Sequence, residues 1–213
     1  MAKEKIVTNV KDQELVKKRR DQMIKGAVNL FKEKGFHRTT TREIAKASGF
    51  SIGTLYEYIR TKEDILYLTC DAIYERVRER LELAFVVEHS SQENLVNIIT
   101  SYFYLMDDLQ EEILILYQEV KSLKKETRKY VLQKEQDMVA MLEKMIINCV
   151  PDLTQKQASL LANNIIIQGH MWGFRRWILQ RQFTLQEYID LQVEAFLKQL
   201  PVKPKFQNGG RER

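Results

Sequence analysis

The stretch from Thr39 to Leu66, TTTREIAKASGFSIGTLYEYIRTKEDIL, constrains this chain of 213 residues more than any other. Thr40 is followed three residues on by Glu43, the spacing of a capping box in which each side chain satisfies a backbone N–H of the other residue. Ile44, Ala45 and Ser48 then supply a narrow face of small and apolar side chains, which predicts a short helix. Gly49 stands where that helix stops in a left-handed conformation open to glycine. Ser51 restarts the chain as an N-cap, and Leu55 with Ile59 gives a second short helix its buried face. Two short helices held by a tight turn predict a helix-turn-helix, whose second member fits the major groove of DNA.

The residues left outside suit that use. Ile52, Gly53 and Thr54 are small or medium at the leading end of the second helix, so the backbone can approach base edges. Tyr56 and Tyr58 offer hydroxyls at the height of phosphates, and Lys62 opens the next helix beside the groove wall. A helical corner with a packing role alone would not favour Gly53 and Thr54, both poor helix formers.

Gly35, Phe36, Thr39, Thr40, Ile44, Ala45, Gly49, Ser51, Gly53, Thr54, Leu55, Tyr56, Tyr58, Lys62 and Glu63 together resemble the signature of the TetR-type one-component transcriptional repressors. Phe50 and Ile59 depart from it, in place of the usual Val and Phe, and both remain apolar. The resemblance covers about 45 residues of the chain. It implies that Thr41 and Arg42 begin the first helix of the motif, with Thr41 on a phosphate and Arg42 within reach of a guanine edge. It also implies that Ser51, Ile52, Gly53 and Thr54 lie against bases or flanking backbone, while Tyr56, Tyr58 and Lys62 hold phosphates.

Charge divides the chain in the same sense. Residues 1–62 carry 15 Lys and Arg against 7 Asp and Glu, whereas residues 63–200 carry 15 against 21. A basic first third on an acidic remainder fits a polyanion-binding module joined to a regulatory body. Few prolines and glycines predict an all-α fold of about nine helices; the resemblance implies an N-terminal three-helix helix-turn-helix domain, then a C-terminal helical ligand-binding and dimerisation domain. The boundaries expected are a flexible basic arm over 1–18, the DNA-binding domain over 19–66, the body over 67–200 and a disordered tail over 201–213. No apolar run is long enough to span a membrane, and no apolar core follows the N-terminal charges as in a secretory leader. Cys70 and Cys149 lie far apart without ligand-like neighbours, as reduced thiols of a cytoplasmic protein would.

Along the chain, Met23, Ile24, Ala27, Leu30 and Phe31 predict a helix from Arg20 to Lys34, ended by Gly35. A long helix from Lys62 to about Glu88 carries an inner stripe of Ile65, Leu66, Leu68, Ile73, Val77, Leu81 and Ala84, and links the two domains. Helices follow over 92–108, from 113 to about 123, and over 125–149. Thr154 with Gln157, and Thr184 with Glu187, cap the last two long helices, over 155–180 and then up to Pro201. The first of these is apolar nearly all round, with Ile165, Ile166, Ile167, Met171, Trp172 and Phe174, so it needs burial on two sides. The last two long helices from each of two subunits would supply that as the four-helix interface of a homodimer. The resemblance implies the same, and a dimer would present two recognition helices to a palindromic operator in double-stranded DNA.

The resemblance further implies a body that binds a small-molecule effector. Tyr102, Phe103, Met106, Tyr117, Val120, Met141, Trp172 and Arg176 are the candidate pocket residues, aromatics and methionines that adapt to an apolar guest. Tyr117-Gln118-Glu119 before a charged helix is similar to regulators of fatty-acid degradation that sense acyl-CoA; multidrug-type sensing of aromatic or cationic compounds uses similar residue types. His37, His89 and His170 have no Asp, Ser or Cys partner at a catalytic spacing, and no phosphate loop or metal cluster is present, so neither an enzyme nor a cofactor is expected. His170 reads as a core or pocket residue. An architectural DNA binder would leave the aromatic-rich body without a task.

Overall fold

The computed structural model describes residues 13–86 and 90–200, in which the chain forms ten α-helices and one 3-10 turn. The all-α architecture agrees with the expectation from composition. The first helix, α1 (Gln13–Lys34), starts well before Arg20, because Val16 is buried and anchors its opening turns. The basic residues Lys17 to Arg20 therefore stand on a helix, and Lys17 Nζ lies 3.6 Å from Glu79. Of the arm expected over 1–18, residues 1–12 lie outside the described residues, as does the tail 201–213.

Gly35 ends α1, and Phe36 folds back edge-on to Phe31 with ring centroids 5.1 Å apart. The capping box of Thr40 and Glu43 is formed at the start of α2 (Thr41–Ala47). Gly49 adopts φ +74°, the left-handed turn that lets the chain reverse without a Cβ clash. Ser51 Oγ then accepts the N–H of Thr54 and opens α3 (Ile52–Tyr56). Only five residues long, α3 is held by burial rather than by its own hydrogen bonds: Leu55 is fully buried among the core residues of α1, α2 and α4 (Glu63–Ala84). That core contains Met23, Ala27, Phe31, Ile44, Ile59 and Ile65.

The rest of α4 runs into the body, where Ile73, Val77 and Leu81 are buried. Asn94 fixes its exit by exchanging two hydrogen bonds of 2.8 Å with the backbone of Val86. There follow α5 (Ser91–Asp108), α6 (Gln110–Glu119) with its 3-10 extension Val120–Ser122, and α7 (Lys125–Cys149). Then come α8 (Gln155–Phe174), α9 (Arg176–Gln182) and α10 (Leu185–Lys198). α7 packs along α8, α4 crosses α5 and α7, α10 covers α5, and α6 touches α1, α4 and α8. The capping boxes of Thr154 and Thr184 are present, and Ser90 with Glu93 forms one more at the start of α5.

The helix expected over 155–180 is two helices, which raises the number from about nine to ten among the described residues. Arg175 leaves the helical region (φ −111°, ψ 24°), and the Trp172 carbonyl at the break accepts from Gln180 Nε2 at 3.3 Å. Before the break α8 comes very close to α5. A Cβ on Gly169 would lie 2.7 Å from Tyr102 Cε1 and 2.9 Å from Met106 Cγ, both side chains being fully buried. Gly169→Ala should therefore lower stability by about 1–2 kcal/mol despite alanine's better helix propensity, read as a fall in the urea midpoint at unchanged slope.

Candidate nucleic-acid interface and effector cavity

The leading end of α3 is open to solvent. Ser51, Ile52 and Gly53 are exposed and Thr54 is half-buried, with Ser51 Oγ and Thr54 Oγ1 3.0 Å apart. Thr41 on α2 reaches across to Tyr56, its Oγ1 3.1 Å from the Tyr56 hydroxyl, while Arg42 beside it is exposed. The structure thus brings Thr41 and Tyr56 together and leaves Arg42, Ser51, Ile52, Gly53 and Thr54 accessible. Arg19 lies 4.7 Å from the centre of the Phe50 ring, so the residue that departs from the usual Val carries a cation beside the turn.

Tyr58 and Lys62 are placed differently from what the sequence suggests. Tyr58 is 3 % exposed and belongs to the core with Leu55 and Ile59, because α3 ends at Tyr56 and the next residues turn inward. Its display beside Tyr56 is thereby corrected. Lys62 is engaged with protein: its Nζ donates to the carbonyls of Phe36 (2.9 Å), His37 (3.0 Å) and Thr39 (3.2 Å), and sits 4.6 Å from the centre of the Phe36 ring. Three donors meet three acceptors, so the ammonium closes the loop between α1 and α2 onto the start of α4.

Glu43 is the electrostatic counterpart of Lys62 at the other end of that loop. Its ion pair with Lys34, then its bonds from Thr40, hold the carboxyl down at about 2. A depressed carboxylate stabilises the fold above its unfolded-state pKa and ceases to do so as pH falls through the folded value.

In the body, α4, α6, α7 and α8 enclose a cavity of about 100 Å3. Cys70, Ile73 and Tyr74 come from α4, and Ile113, Leu116 and Tyr117 from α6, with Val120 just beyond. α7 adds Val131, Leu132, Lys134, Glu135 and Met138, and α8 adds His170. The Tyr117 hydroxyl donates to Glu135. Lys134 Nζ lies 3.6 Å from Asp71 and 4.2 Å from the centre of the Tyr74 ring. Burial pushes the Cys70 thiol up to about 12 and the His170 imidazole down to about 4, so both are neutral near pH 7.

Of the expected pocket residues, Tyr117 and Val120 line this cavity. Tyr102 stands behind it, its hydroxyl 3.3 Å from His170 Nε2. Phe103 and Met106 are core: Phe103 packs against the rings of Tyr188 and Phe196. Trp172 donates to Asp107 Oδ1 at 2.6 Å, and Arg176 pairs with Glu111 Oε1 at 2.6 Å. Met141 is half-buried and does not line the cavity. These five stand apart from it because the inner stripe of α5 faces α8 and α10, and the end of α8 faces the start of α6. The residues missed are chiefly on α7. Val131, Lys134, Glu135 and Met138 share one helical stripe, and two charges on an otherwise apolar stripe were the signal that could have found them.

The cavity is tied to the DNA-facing module through α6. Glu111 Oε1 also accepts from Lys32 Nζ of α1 at 2.7 Å, and His37 Nε2 lies 3.8 Å from Glu119 Oε2. Burial raises the Glu111 carboxyl, but Lys32 and Arg176 outweigh it and leave the group below the ordinary range. Among the described residues no cluster of His, Cys, Asp and Glu could hold a metal ion, and no helix is long and apolar enough to cross a membrane.

Comparisons with known proteins agree with this geometry. Residues 23–67 match the model of the family described as bacterial regulatory proteins, tetR family. The HTH-type transcriptional regulator HbdR of Aromatoleum sp. (strain CIB) is 29% identical over 200 residues, 91% of this chain and 87% of that protein. A bacterial regulatory protein of the tetR family from Rhodococcus RHA1 shares the fold with a TM-score of 0.72 at 20% identity, over 87% of this chain and 98% of its own. AibR in complex with isovaleryl coenzyme A and operator DNA does so at 0.65 and 18%, over 83% and 97%.

Two outcomes test the roles assigned to the loop. Lys62→Met should lower the unfolding midpoint of DNA-free protein, by about 1–2 kcal/mol, since the loop loses three charge-assisted hydrogen bonds. A lysine that served phosphates alone would leave that midpoint unchanged. Glu43→Gln should flatten the loss of stability between pH 4.5 and about 2, followed by circular dichroism at fixed urea.

Proposed function

We propose that this chain, which belongs to the TetR family of bacterial regulatory proteins, is a ligand-responsive homodimeric transcriptional repressor. It binds a palindromic DNA operator and is released by a small apolar or amphipathic effector, with acyl-CoA thioesters among the candidates. The observation that carries the reading is that α4 and α6 serve both functions. α4 enters the core of the DNA-facing module and lines the cavity with Cys70, Ile73 and Tyr74. α6 lines the cavity with Leu116 and Tyr117 and holds Lys32 of α1 through Glu111. Release requires only that the effector bind the DNA-incompetent shape more tightly. The AibR complex, holding isovaleryl coenzyme A and operator DNA, supports an acyl thioester as a ligand for a body of this fold.

Arg42 reads a guanine edge, Ser51, Ile52, Gly53 and Thr54 lie against bases or flanking backbone, and Thr41 and Tyr56 hold phosphates. The dimer forms through α8 and α10. Leu160, Asn163 and Ile167 make an exposed stripe on α8, opposite the buried Ala158, Ala162 and Ile165, and Leu191 is exposed on α10. Two exposed apolar side chains on this stripe, Leu160 and Ile167, support a partner helix there. The multidrug reading draws its support from Tyr74, Tyr117 and Glu135 in the cavity wall, a set that also suits an aromatic cation.

Arg42→Ala should cost about 1–3 kcal/mol on operator DNA and relax the preference at one base pair, with little change on random duplex. Equal losses on both DNAs, measured by fluorescence anisotropy, would remove Arg42 from base readout. Ile167→Asp should sediment as a monomer and bind the operator about tenfold or more weakly, through loss of the second half-site.

A further inference from the structure

His170 holds a buried polar atom that the protein leaves unmatched. The residue sits on α8 in the cavity wall, 5 % exposed, with its ring beside those of Tyr117 (5.4 Å) and Phe174 (5.8 Å). Its Nε2 lies 3.3 Å from the Tyr102 hydroxyl, and its Nδ1 has no hydrogen-bond partner among the described residues. Tyr102 is 1 % exposed, and among the described residues the only hydrogen-bond acceptor its hydroxyl meets is that Nε2.

The two atoms fix the tautomer. If Nε2 carried the proton, the Tyr102 O–H would lack an acceptor and Nδ1 would lack a donor, leaving two buried groups unmatched. If Tyr102 donates to Nε2, the proton of the neutral imidazole sits on Nδ1, and one donor alone is unmatched. Burial already keeps the ring neutral. The group that satisfies Nδ1–H must then be an acceptor, and because His170 forms part of the cavity wall, a guest in the cavity can supply it.

The rest of the wall limits that guest. A space of about 100 Å3 is smaller than the ~150 Å3 engineered cavity that takes benzene, so only a small group fits within it. Its surroundings are mainly aliphatic: Ile73, Ile113, Leu116, Val131 and Met138. Lys134 is already paired with Asp71, and Glu135 with the Tyr117 hydroxyl. An ammonium guest brings donors, which an N–H donor cannot match.

We propose that the cavity receives a small neutral group with an apolar body and a carbonyl oxygen, and that His170 Nδ1–H donates to that oxygen. This rests on the effector-responsive reading above and narrows it: a carbonyl compound, as a free ketone or as the acyl end of a thioester, and not an aromatic cation.

The test uses full-length protein labelled with 15N-histidine. The chain has three histidines, and His170 is assigned by its loss in the His170→Asn and His170→Gln variants. The free protein should show the Nδ1–H tautomer at His170. Cyclopentanone should bind about tenfold more tightly than its isostere methylenecyclopentane and shift the Nδ1 resonance. H170N, whose amide nitrogen stands near the Nδ1 position, should retain the ketone preference, and H170Q, which mimics Nε2, should lose it. S-butanoyl-N-acetylcysteamine tests the thioester source: tighter binding than the ketone with the same Nδ1 shift assigns the carbonyl to an acyl thioester, and the reverse to a free ketone. An Nε2–H tautomer, equal binding of ketone and isostere, or no Nδ1 shift with either carbonyl probe overturns the proposal. Operator binding on the same preparation separates the two readings. Operator binding without a ketone preference overturns the carbonyl assignment alone. Ketone binding at His170 without any DNA binding overturns the regulator reading and leaves the assignment standing.

Discussion

Two cations from distant parts of the chain meet on one carboxylate oxygen at the start of α6. Glu111 Oε1 accepts from Lys32 of α1 and from Arg176 of α9. All three side chains are partly solvated, so the bridge contributes at most about 1 kcal/mol to stability. Its weight is geometric. It fixes the first turn of a ten-residue helix whose inner face, Ile113, Leu116 and Tyr117, is one wall of the cavity. α4 gives a second link, since Ile65 and Leu66 belong to the core shared with α1 and α2 while Cys70, Ile73 and Tyr74 line the cavity. Interior packing at near-crystalline density leaves little slack between the two.

Local features of the sequence were legible and non-local ones were not. Capping boxes at Thr40, Thr154 and Thr184, the left-handed turn at Gly49 and the N-cap at Ser51 are formed where their spacing places them, because each involves residues within one turn. The bounds of α7, Lys125–Cys149, are those read from its periodicity. The break at Arg175 carries no proline or glycine at the break itself, and the Trp172 carbonyl beside it is met by a side chain five residues beyond Arg175, Gln180. The cavity is harder still. Its wall draws on four helices, and nothing in the spacing of Tyr102 or Phe103 reveals which neighbour each faces.

The loop after α1 shows the same limit in electrostatic form. A lysine and a tyrosine beside a recognition helix suggest phosphate contacts, since both carry donors that suit an anion. In the fold the Lys62 donors are spent on the carbonyls of Phe36, His37 and Thr39 in the loop before α2. Tyr58 is drawn inward because a helix of five residues is too short to keep its successors on the outer face. Residues that build the DNA-facing surface and residues that touch the polymer can have the same chemistry, and only the acceptor opposite them tells the two apart.

The two tryptophans of the chain lie on either side of the break at Arg175 and in opposite surroundings. Trp172 is buried, bonded through its indole N–H to Asp107 and set against the Tyr188 ring at 5.2 Å. Trp177, on α9, is 59 % exposed. Their emission should therefore separate into a blue-shifted component shielded from iodide and a red-shifted one quenched by it. The first reports on the seam between α5 and α8, two residues from His170, and the second on the solvent-facing side of α9. With no label added, the molecule carries one optical gauge for its interior and one for its surface.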